Sequence, residues 1–257
     1  MKLTKVIFFF SLIIVMCTLS WSTAQVNQTD AQGKKHGEWI VYYEGSSVPR
    51  YKGQFEHGKP VGKFVHYYPT SVVKMIILNE ANSDRAAAYF YHENKTLLAF
   101  GIYRNQKKDS VWTHYRPTGD LSFKETYEND ELNGLRTTYY GPEATPGDQI
   151  VILRMCMYKD GRAHGEVKEY FPDGILKLSG KYNQGVFDGQ VKRYHPNGKI
   201  MILERWKRRQ KHGWWVTYNL DGREVGRAYF RNGKRLEGAQ LENYMQLLKE
   251  NGINPNE

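Results

Sequence analysis

The chain has 257 residues, a formal net charge of +10, 19 tyrosines and a hydrophobic fraction of 40%. Its mean hydropathy of -0.67 is too low for a thick two-sided core. Its two cysteines, Cys17 and Cys156, exclude an intramolecular disulfide once a leader carrying Cys17 is removed.

That leader is expected over residues 1–24. Lys2 and Lys5 form a positive start, Val6 to Leu19 is a short apolar run broken by Ser11 and Thr18, and Ser22-Thr23-Ala24 supplies the small residues of a cleavage site. Cleavage before Gln25 predicts an exported protein: periplasmic, outer-membrane-associated or secreted. Loss of Lys2 and Lys5 takes the charge from +10 to +8, an excess suited to anionic envelope surfaces, glycans or an acidic protein rather than nucleic acid. Residues 25–32 are polar and are expected to be a flexible segment.

Residues 33–238 carry an internal repeat. Tyr42, Tyr67, Tyr91, Tyr115, Tyr139, Tyr170, Tyr194 and Tyr218 stand 25, 24, 24, 24, 31, 24 and 24 residues apart. Five residues before each is a small one: Gly37, Gly62, Ala86, Ser110, Gly134, Gly165, Gly189 and Gly213. A period of this length means one supersecondary unit stacked on copies of itself. In the clearest unit, His164 to Gly185, a first strand ends in Tyr170-Phe171, Pro172-Asp173-Gly174 turns the chain, and a second strand ends at Asn183-Gln184-Gly185. Second-strand aromatics recur at Phe55, Tyr103, Tyr127, Tyr182, Trp206 and Phe230, and Tyr158 joins them if Gly141 to Gln149 hold a seven-residue insertion. Asn79 stands where the aromatic belongs, and Ala86-Ala87-Ala88 opens the following unit, so the middle of the array is expected to be bulged or partly irregular.

Side-chain parity puts the lattice tyrosines on one face with Ile40, Val65, Tyr89, Thr113, Thr137, Lys168, Lys192 and Val216. Trp39, Phe64, Trp112, Val167, Val191 and Trp215 fall on the other. Both faces mix aromatic and polar groups, which fits a single layer and not a sandwich. The predicted fold is therefore all-β: an elongated single-layer antiparallel meander of about eight two-stranded repeats, roughly 75 Å long at about 4.8 Å per strand. Residues 239–257 complete it, with Leu241, Tyr244, Met245 and Leu248 at helical spacing forming a short amphipathic capping helix before Gly252.

Gly-x-Trp-x-x-Tyr, a glycine turn, a second aromatic and the linkage Asn232-Gly233-Lys234-Arg235-Leu236-Glu237-Gly238 resemble the MORN repeat, in its bacterial variant form. The resemblance implies a half-pipe meander that acts as a protein- or lipid-binding scaffold, with no catalytic residue in the repeat. Some such proteins carry an antitoxin or immunity label, which the resemblance implies here as an alternative role.

No catalytic, metal or cofactor site is predicted. His36, His164 and His212 precede lattice glycines of separate units, without ligand spacing. There is no Gly-x-Ser-x-Gly turn or phosphate-cradling glycine loop. A structural Cys156 is favoured over a reactive one. The candidate binding patch is Arg205, Trp206, Lys207, Arg208, Arg209, Lys211 and Trp215, extended by Lys168, Lys192 and Arg193. It suits phosphate, carboxylate or glycan, or equally a solvated turn. Function is expected to be scaffolding of an envelope or secreted protein, or alternatively binding of acidic glycan or anionic lipid.

Overall fold

A computed structural model describes residues 25–144 and 149–256. The expected leader and the tip of the inserted loop lie outside them. Twenty strands follow one another as an open antiparallel meander, and Gln28–Thr29 adds to its first edge by pairing with Lys35–Tyr42. Helix α1 (Gly238–Glu250) follows the last strand, Lys234–Leu236.

The turns explain the period. After six of the eight lattice tyrosines a four-residue turn closes by a backbone bond from a fourth residue of positive φ, such as Gly174 N–H to Phe171 O at 2.9 Å and Gly119 N–H to Arg116 O at 2.9 Å. That φ is 83° at Gly174 and 94° at Gly119, and Ser71 and Lys95 take 63° and 71°. Such a turn followed by a left-handed residue makes a hairpin with a bulge, and the register shifts next to the lattice tyrosine, for example between Glu169 and Tyr170. The second turn uses two left-handed residues: Gln184-Gly185 at 52° and 84°, and Asn232-Gly233 at 48° and 82°.

The small lattice residue has a backbone reason. Gly37, Gly62, Gly165, Gly189 and Gly213 have φ between 60° and 95°, and Ser110 shares the conformation at 60°. A side chain there meets its own carbonyl, so glycine is favoured. All of these but Gly62 pair directly with the second-strand aromatic, as in Gly37↔Phe55, Ser110↔Tyr127 and Gly189↔Trp206, and Gly62 pairs with Asn79. Gly134↔Tyr158 keeps that pairing, so the insertion between the two strands leaves the register intact.

Two expectations are corrected. Val73–Asn79 and Arg85–Tyr91 pair from Met75↔Phe90 to Asn79↔Ala86 with no register shift, so the strands of the middle are regular. The departure is confined to their connecting turn, closed by Glu80 N–H to Arg85 O at 3.0 Å and longer than the two-residue turns elsewhere. Ala86 has no positive φ there, which is why alanine is tolerated. Residues 25–32, expected to be flexible, are tied down. Asn27 Nδ2 donates to Ile40 O at 3.0 Å, Trp39 Nε1 to Gln28 O at 2.8 Å, and Asp30 Oδ1 accepts from the backbone N–H groups of Gln32 and Lys34 at 2.9 Å.

A seam invisible as a motif runs along the first-turn edge. In six units the residue after the lattice tyrosine reaches the backbone carbonyl of the next lattice tyrosine. Tyr43 Oη donates to Tyr67 O at 2.7 Å, Tyr68 Oη to Tyr91 O at 2.9 Å, Arg116 Nη2 to Tyr139 O at 2.8 Å and Tyr140 Oη to Tyr170 O at 2.8 Å. His92 Nε2 and His195 Nε2 make the same contact to Tyr115 O and Tyr218 O. Successive units are thereby stapled where the sheet alone would leave bulged carbonyls.

Candidate interaction faces

On the tryptophan face, bulk is exchanged between neighbouring strands. Phe64 lies over Gly53, Trp112 over Gly101 and Val191 over Gly180, where an added Cβ would come within 2.3, 2.3 and 2.9 Å. Where the second strand carries Ile77, its partner is Ala88. Glu125 meets Arg136 at 3.1 Å at the equivalent place. This alternation packs a layer one side chain deep without a second sheet. Val167, Val191, Cys156 and Leu178 form its buried centre, flanked by Tyr158, Tyr182, Phe187 and Trp206.

Two carboxylates on this face are paired internally. Glu204 is buried and accepts from Arg193 Nε at 2.6 Å and Trp206 Nε1 at 2.9 Å. Tyr127 Oη donates to Glu125 at 2.8 Å, and burial together with that bond pushes the phenol up to about 12. Burial lowers the pKa of His66, with Lys74 and Arg50 adding to the effect. It also lowers that of His114, against the pull of Glu125. Burial raises the Cys156 thiol, the outcome for an unreactive structural cysteine.

Three lysines two residues before the lattice position are clamped between rings. Lys35 Nζ is 4.4 Å from the Trp39 centroid and 4.9 Å from that of Phe55. Lys108 Nζ is 4.7 Å from both Trp112 and Tyr127. Lys211 Nζ is 4.3 Å from Trp215 and 5.0 Å from Phe230.

At Asn79, where no aromatic fills the layer, a groove of about 1330 Å³ opens between the Gly62 and Ala86 units. Tyr51, Phe55 and Phe64 wall one side, and Phe90 and Tyr103 the other.

The tyrosine face differs. Leu78, Phe100, Val111, Leu135 and Met157 are exposed, Val111 to 49%. All sit on this face, by the pairings Lys63↔Leu78, Tyr89↔Phe100, Val111↔Thr126 and Leu135↔Met157. Phe100 stacks between Tyr89 and Tyr115, at 6.3 and 6.5 Å. At the carboxyl end the same face is covered. Tyr244 of α1 packs on Tyr229 at 5.8 Å, Tyr229 on Trp214 at 5.2 Å, and Leu248 is buried. Tyr229 Oη donates to Pro255 O at 2.9 Å, and burial beside Tyr244 pushes its pKa up to about 12.

The predicted basic patch is divided between faces. Arg193 is held by Glu204, Lys211 lies against Trp215 and Phe230, and Arg205 donates to Trp214 O at 2.9 Å from the other side of the sheet. Burial lowers the Arg205 pKa. Trp206 and Trp215 meet edge to face, with ring centroids 5.2 Å apart. Lys168 and Lys192 are both opposite Ser179 on the tyrosine face. Lys207, Arg208 and Arg209 are exposed at the second turn, where Arg208 and Arg209 take φ of 50° and 70°.

Residues 163–184 and 187–207 match the MORN repeat variant family, covering the Gly165 unit and most of the Gly189 unit. No curated protein matches the chain.

Proposed function

We propose that this chain, a β-repeat protein carrying MORN-type units, is an exported, non-enzymatic scaffold that holds another envelope or secreted protein against its tyrosine face. The observation behind this reading is the exposed apolar row Leu78, Phe100, Val111, Leu135 and Met157. Contiguous apolar surface on a soluble protein marks an interaction site. The packing of α1 at the far end of the same face supplies the precedent, with Tyr244 on Tyr229. The partner is a protein presenting an apolar helix to the uncovered units. Crosslinking in envelope fractions, followed by capture of the full-length chain, tests this. A partner held by the wild type and released by Val111→Glu with Leu135→Glu is expected. Retention by that variant, or no partner from any fraction, counts against it. Export is tested separately by fractionation and by whether the mature chain starts at Gln25.

A second reading rests on Arg208 and Arg209. Two arginines in consecutive left-handed positions are unfavourable where Asn-Gly serves the last repeat, and strain of this kind is often kept for function. The turn then binds phosphate or carboxylate groups of glycan or lipid. Affinity for anionic vesicles should fall with added salt and with Arg208→Glu plus Arg209→Glu. Unchanged binding in both cases removes this reading.

A further inference from the structure

We propose that the groove at Asn79 is a receptor for a lysine side chain of an extended partner segment. It lies on the tryptophan face and is independent of the tyrosine-face site. The array itself shows how it holds an ammonium group, in the three clamps of Lys35, Lys108 and Lys211. Those lysines share a backbone position, fixed by one turn bond: Gly58 N–H to Lys35 O at 2.8 Å, Asp130 N–H to Lys108 O at 3.0 Å and Gly233 N–H to Lys211 O at 2.9 Å. Asp84 occupies the same position in the Ala86 unit, its carbonyl accepting from Asn105 N–H at 2.9 Å. A carboxylate therefore stands where three other units carry their own cation.

The rings around it also differ. The Ala86 unit keeps Tyr103 opposite its lattice residue but has Ala88 where the clamped units carry Trp39, Trp112 and Trp215. In the adjoining Gly62 unit, Asn79 replaces the second-strand aromatic that faces the lattice residue elsewhere. The amide is turned to the backbone, donating to Gly62 O at 3.0 Å. What remains is an open space lined by aromatic rings, with Glu56, Glu80 and Asp84 against Lys59 and Arg85 around it. Arg85 is engaged by Glu80 at 3.9 Å. This is an acidic spot on a chain of net charge +10. Ring faces and carboxylates together select an organic cation. The volume, about 1330 Å³, exceeds the roughly 300–1,000 Å³ of small-molecule pockets and fits a peptide segment better.

The test uses the full mature chain and the pentapeptide Gly-Gly-Lys-Gly-Gly, compared with its Nε-acetylated form, followed by amide chemical shifts. Expected are shifts centred on Asn79, Asp84 and Tyr103, with the acetylated peptide at least about tenfold weaker. Asp84→Lys supplies an internal cation and Asn79→Tyr fills the vacancy, so each should abolish the response. Asp84→Asn serves the same purpose if Asp84→Lys unfolds. Val111→Glu with Leu135→Glu should leave the response intact whether or not it releases a partner. Equal binding of the acetylated peptide, an unchanged response in Asp84→Lys or Asp84→Asn, or shifts confined to other units would overturn the proposal.

Discussion

Exchange of bulk between neighbouring strands predicts a specific coupling at Gly101 and Trp112. Trp112 is 1% exposed, its Nε1 donates to Ile102 O at 3.2 Å, and Lys108 rests on its ring. Trp112→Ala should cost about 3–5 kcal/mol for the lost packing and about 1 kcal/mol more for the hydrogen bond. Gly101→Ile alone is also damaging, because a Cβ there would sit 2.3 Å from the indole, an overpacking cost of about 3 kcal/mol. Made together, the two changes recreate the Ile77–Ala88 arrangement one unit away. The double variant should recover about 2–3 kcal/mol relative to the sum of the singles. Urea unfolding, followed by fluorescence and far-ultraviolet circular dichroism on all four proteins, measures it. Additivity within about 0.5 kcal/mol would refute the size-exchange argument.

Arg208→Asn with Arg209→Gly should raise stability by about 1–2 kcal/mol, since both positions have positive φ; an unchanged midpoint in thermal unfolding would show the turn is unstrained. His66 and His114 have folded pKa values below the ordinary 6.5, so the unfolded chain binds more protons on acidification. Their contribution is complete above about pH 7 and declines as pH falls through about 6.5. His66→Gln should flatten that part of the stability profile, and an identical slope would contradict it. Cys156 is buried with a raised pKa, so a thiol reagent should modify it only after unfolding; rapid labelling of the native chain would refute this. Truncation before Gly238 uncovers Trp214 and Tyr229, and light scattering should then show self-association that the full chain lacks.

The period, the strand pairs, the facing of the tyrosines and the helix were legible because each rests on local chemistry. Glycine or serine marks left-handed backbone at the lattice position, Pro-x-Gly marks the turn, and apolar residues at helical spacing mark α1. The middle was the least legible part because Ala86 stands where most units have glycine. Its backbone is instead an ordinary strand, which removes the need for glycine. The first strand was missed because two residues, Gln28 and Thr29, are too few to show alternation. Their order comes from Asn27 and Trp39, through bonds that span 13 and 11 residues. The seam of Tyr43, Tyr68, Arg116 and Tyr140 was hidden because tyrosine, histidine and arginine share donor capacity and not a residue type. The basic patch looked contiguous along the chain, but alternation sends Arg205 and Trp206 to opposite faces. The Asn79 groove was visible as a departure from the repeat. That Asp84 replaces a clamped lysine required the lysines to be seen on their rings.

A single open layer, bare on both faces over most of its length, underlies every interaction argued above. Small-angle X-ray scattering of residues 25–257 measures it directly. A strip about 75 Å long, at about 4.8 Å per strand, gives a radius of gyration of at least about 22 Å. A chain of this length folded around a closed core would give about 17 Å, and that value would contradict the account.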